Sequence, residues 1–93
     1  MTKAEMNDTV GRLLAFAASG DFVSELNGYE ADERDIPGVG LRVVRLTQED
    51  ESRPTALRIE RDGECLAWAT VDADGRIIKL YNDELLKAAA LKI

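Results

Sequence analysis

Apolar residues recur at Met6, Val10, Leu13, Leu14 and Ala17, the three-and-four spacing that lines one face of a helix. Thr2 followed three residues later by Glu5 has capping-box form, and Gly20 supplies a stop. Gly11 weakens this helix by about 1 kcal/mol relative to Ala, unless it serves to let another backbone come close. Phe22, Val23 and Leu26 then fit a short second helix that begins near Asp21 and ends at Gly28. Residues 29–40 read as a loop, broken by Pro37, Gly38 and Gly40.

In the second half the period shifts from helical to alternating. Leu41–Thr47, Thr55–Arg61, Glu64–Asp72 and Arg76–Tyr81 read as four strands of an antiparallel meander, with a polar connection over 48–54. Asp62-Gly63 is a type I′ hairpin signal, and Ala73-Asp74-Gly75 suits a three-residue loop with Gly75 left-handed. Asn82 or Asp83 caps a last helix whose Leu85, Leu86, Ala89 and Ile93 share a face. The predicted fold is α+β: an N-terminal helix with a short second helix, a four-stranded meander and a C-terminal helix.

The turns predict a register. Arg61 faces Glu64, so Ile59 faces Leu66 and Leu57 faces Trp68; Asp72 faces Arg76, so Thr70 faces Ile78 and Trp68 faces Leu80. Leu57, Ile59, Leu66, Trp68, Ile78 and Leu80 then form the core face, with Trp68 largely buried under a helix. The other face carries Ala56, Arg58, Glu60, Cys65, Ala67, Ala69, Val71, Ile77, Lys79 and Tyr81. Its small residues are poor strand formers in water, so something is expected to pack there: one of the chain's helices, a second copy or a partner.

Composition narrows the chemistry. The 93 residues carry 12 Lys+Arg against 18 Asp+Glu, a net charge of −6, with one Cys and no His. That length suits a single acidic domain over 1–93. Without His there is no Ser-His-Asp triad, and one Cys makes neither an intrachain disulfide nor a Cys-rich metal site. No apolar run approaches the ~20 residues of a membrane span. The stretch Leu13–Ala18 is too short for a signal-peptide core, and Glu5 and Asp8 spoil the basic segment that should precede one, so a cytoplasmic location without membrane contact is expected.

Asp72–Ile77 resembles the middle of an EF-hand calcium loop, but Thr70 and Tyr81 stand where the end carboxylates belong, so a plain turn is expected. No Asp or Glu falls on the predicted core face, Cys65 lies beside Glu60, and no phosphate-binding glycine motif is present. The chain is therefore read as a non-enzyme with no cofactor and no metal. Direct nucleic-acid binding is disfavoured by the net charge, and only Tyr81 stands on the predicted open face as a stacking aromatic.

An acidic domain is steered towards basic partners. The candidate recognition residues are the acids Glu30, Asp32, Glu33 and Asp35, joined by Glu49, Asp50 and Glu51. A second group, Ala56, Arg58, Ala67, Ala69, Lys79 and Tyr81, lies on the small-residue sheet face. In outline, this acidic helix–meander–helix chain resembles some phage-encoded inhibitors, including certain anti-CRISPR proteins that imitate the charge of DNA. The resemblance is architectural and compositional, covers the whole chain and transfers no functional residue. The expected function is a small protein-binding module that regulates or inhibits a partner by surface occupation. The alternatives are a nucleic-acid mimic acting on a basic protein, and a homodimer paired through the small-residue face.

Overall fold

The computed structural model of the chain describes residues 2–26, 28–48 and 53–93, with the backbone alone at 24–26. Helix α1 (Lys3–Ala18) precedes six strands, β1 (Asp21–Leu26), β2 (Tyr29–Ile36), β3 (Leu41–Gln48), β4 (Thr55–Arg61), β5 (Glu64–Val71) and β6 (Ile77–Tyr81), and helix α2 (Asp83–Ala90) follows. The strands form one antiparallel sheet in sequence order. The architecture is α+β as expected, with six strands in place of four.

The helix signals act as read. Thr2 Oγ1 accepts from Glu5 N at 3.1 Å, and Met6, Val10, Leu13 and Ala17 are buried. Asn82 caps α2 by accepting from Leu85 N, and Leu86, Ala89 and Ala90 turn inward. Both helices cover one face of the sheet, α1 chiefly over β2 and β3, α2 over β5 and against α1. Among the described residues, no helix is long and apolar enough to cross a membrane. Nothing stands within 4 Å of a Cβ built on Gly11, so this glycine serves no close approach.

Two expectations fail in the first half. Residues 21–26 are a strand, not a helix, and 29–36 are a strand, not a loop. The acids of β2 do not keep it out of the sheet, because β3 supplies bases opposite them. Asp32 pairs with Arg45 and Asp35 with Arg42. Opposite charges on directly facing strand positions stabilise the ladder.

The predicted register also fails, by one residue in each hairpin. Arg61 faces Glu64 as expected and Glu60 faces Cys65, but Ile59 then faces Ala67. Leu66 is an extra residue, a β-bulge, and its side chain packs against the core. Ile78 is likewise the extra residue of β6, so Thr70 faces Lys79 and Trp68 faces Tyr81. Because side chains alternate along a strand, each slip exchanges the faces beyond it. The core therefore holds Leu57, Ile59, Ala67, Ala69 and Val71 under the helices. Trp68, expected there, stands half-buried on the other face.

Candidate functional site

The face that the helices leave uncovered is built from three rows of facing residues. The central row runs across all six strands: Asp21, Glu33, Val44, Arg58, Trp68 and Tyr81. The second holds Ala31, Leu46, Ala56, Thr70 and Lys79. The third holds Asp35, Arg42, Glu60 and Cys65. Directly facing residues share a face, so these rows form one surface.

Its chemistry is graded. The β1–β2 side is acidic, the centre is apolar, and the β5–β6 side is aromatic with Lys79. Trp68 and Tyr81 stack with ring centroids 6.5 Å apart and planes inclined by 23°. Tyr81 is 58% exposed, so the stack presents its outer part to the surroundings. Val44 lies between Glu33 and Arg58 and is only 4% exposed, outside the main core cluster. Leu46 and Ala56 beside it are half-buried.

Ion pairs border the apolar centre. Arg42 Nε donates to Asp35 at 2.9 Å and its Nη1 to Glu33 at 3.1 Å. The hydrogen bond to Asp35, then the charges of Asp35 and Glu33, raise the Arg42 guanidinium above its ordinary value. Arg58 Nε stands 3.0 Å from Glu60 Oε2, but its N–H is not aimed at that oxygen and finds no other acceptor. Two shallow clefts of about 330 and 550 Å³ meet at Asp35 and Arg42. Arg42, which lines both, is already shared by two carboxylates, and Arg34, which lines the first, donates to Ser19 Oγ at 2.7 Å and lies over the Phe16 ring, which makes the clefts poor sites for an anion.

The expected recognition residues part company. Alternation sends Glu33 and Asp35 to the open face, while Glu30, opposite Thr47, and Asp32, opposite Arg45, lie on the other. Asp32 is 8% exposed and accepts from Arg45 Nη2 at 2.6 Å, so it offers no surface acid. Glu49, Asp50 and Glu51 lie outside the described residues. Ala67 and Ala69 are buried in the core, on the face of β5 over which α2 packs. For these two, the chain's own helices are what packs on the small residues. Ala56, Arg58, Lys79 and Tyr81 remain together on the open face, and the bulge at Leu66 brings Trp68 to join them.

The remaining candidates are accounted for locally. Cys65 is half-buried and its thiol donates to the Ala67 carbonyl at 3.4 Å. Asp72 Oδ1 accepts from Asp74 N and Arg76 N, both at 2.9 Å, and Gly75 has φ 79°, which makes residues 72–76 a hairpin turn held by its own carboxylate. Among the described residues, no three His, Cys, Asp or Glu side chains are grouped to hold a metal ion. Comparison of the chain with protein-family models, with curated proteins and with solved structures found no match.

Proposed function

We propose that this chain is a non-enzymatic protein-docking module and that the open sheet face is its docking surface. The observation that carries the reading is the stacked Trp68–Tyr81 pair on a face that neither helix covers. Aromatic residues and Arg are enriched where proteins meet, around an apolar centre with a polar rim. Here Leu46, Val44 and Ala56 supply the centre together with Arg58, and Arg42, Glu60 and Lys79 the rim. The module acts by occupying its partner's surface. The acids contribute less than composition implies, because Asp32, Glu33 and Asp35 are each paired with an arginine. That pairing, and the division of the acids between two faces, favour docking over imitation of a nucleic acid.

Photo-crosslinking in the native cell tests the reading. A photoreactive residue at Tyr81 should capture a protein chain, and one at Lys87 on α2 should not. Equal capture from both positions, or none from Tyr81, would refute it.

A further inference from the structure

Resting on that reading of the open face, we infer that its occupant is a second copy of this chain, held by a two-fold axis running parallel to the strands between β3 and β4. The charge pattern is self-complementary about that axis. A half-turn sets β1 against the second copy's β6, β2 against its β5 and β3 against its β4. Arg42 then meets Glu60 of the other copy, and Glu60 meets the other Arg42. Leu46 meets Ala56, and the same contact repeats across the axis. In the central row Glu33 meets Trp68 of the other copy, Asp21 meets its Tyr81 and Val44 its Arg58. Such an isologous contact needs one patch that complements itself, and the adjacent Arg42 and Glu60 on either side of the axis do so.

Size and edges agree. The molecule measures 30 × 28 × 21 Å, so its broad face is comparable with the roughly 800 Å² per partner of a stable interface. Pairing along the sheet edges is blunted, because both edge strands are bulged, β1 at Val23 and β6 at Ile78. The opposite face is already covered by α1 and α2. Two sheets packed through their open faces leave the edges and helices free.

Sedimentation equilibrium tests the inference on the full chain. The wild type should associate to twice 10.2 kDa with increasing concentration. Ala56→Arg, which places an unpaired charge beside the axis, should raise the dissociation constant at least about 100-fold. Lys79→Glu, at an exposed position that the half-turn sets against β1 one row from Asp21, should raise it about 10-fold and keeps the test valid if Ala56→Arg fails to fold. Circular dichroism reports folding in each. A wild type that stays monomeric at millimolar concentration, or a dimer unaffected in the folded variants, overturns the second copy. If the chain is monomeric while a probe at Tyr81 captures a foreign protein, the self-pairing fails and the docking surface stands. If the probe captures nothing, the docking surface fails as well.

Discussion

Ile59 lies opposite Ala67, where a regular hairpin built on the Asp62-Gly63 turn would place Leu66. That single offset decides which side chains of β5 meet the helices and which meet the outside. It buries Ala67, Ala69 and Val71 and turns out Trp68.

Core and open-face truncations should therefore differ in the reverse of what residue size suggests. Leu57→Ala should cost about 2–5 kcal/mol, because Leu57 is fully buried. Trp68→Ala, in the monomeric Ala56→Arg background, should cost roughly 1.5–2.5 kcal/mol, half the usual loss for a buried aromatic. Urea unfolding measures both, and a larger loss at Trp68 would return that side chain to the core.

Asn82 holds the bulge in place. It has φ 64°, caps α2 through Leu85 N, and donates from Nδ2 to the Leu66 carbonyl at 3.2 Å. Asn82→Ala loses the cap and forces an alanine into the left-handed region, at a cost of about 2–3 kcal/mol. Asn82→Gly tolerates the backbone and should cost about 1 kcal/mol. Thermal unfolding of the two variants separates backbone strain from the lost bonds.

The acids of β2 should be unequal. Asp32→Ala leaves Arg45 half-buried without its partner and should cost about 1–3 kcal/mol. Glu30→Ala, exposed and opposite Thr47, should stay within about 0.5 kcal/mol. A double-mutant cycle of Asp32 with Arg45 should show coupling, and equal effects at 30 and 32 would contradict the strand register.

Two glycines should respond in opposite directions. Gly11→Ala should stabilise α1 by about 0.5–1 kcal/mol, since the added methyl meets nothing within 4 Å. At Gly20 a Cβ would lie 2.2 Å from the Glu33 carbonyl oxygen, so Gly20→Ala must move α1 or β2 and should destabilise strongly. Melting temperatures of the two variants decide this.

Much of this fold is legible locally. Thr2 and Asn82 mark the helix starts, Asp62-Gly63 and Gly75 mark the hairpins, and the β4 boundaries lie where alternation puts them. What escapes local reading depends on partners distant in sequence. The acids of β2 look like a solvated loop until Arg42 and Arg45 are seen opposite them. The bulges at Leu66 and Ile78 leave no mark on the alternation, because Cys65, Leu66 and Ala67 all fit either face. Helix α2 packs over β5, where Ala67 and Ala69 are small, whereas the apolar size of Trp68 argues for burial until the bulge is known. Of the expected open-face residues, Ala56, Arg58, Lys79 and Tyr81 lie beyond the reach of these slips or return to phase after them.

Trp68 is the only tryptophan, which makes its fluorescence the most direct test that this residue lies on an open face covered by a second chain. Emission of the concentrated wild type should be blue-shifted and move red on dilution, and that of Ala56→Arg should be red at every concentration. Emission that stays blue on dilution and is equally blue in Ala56→Arg would contradict this, by placing Trp68 under the helices.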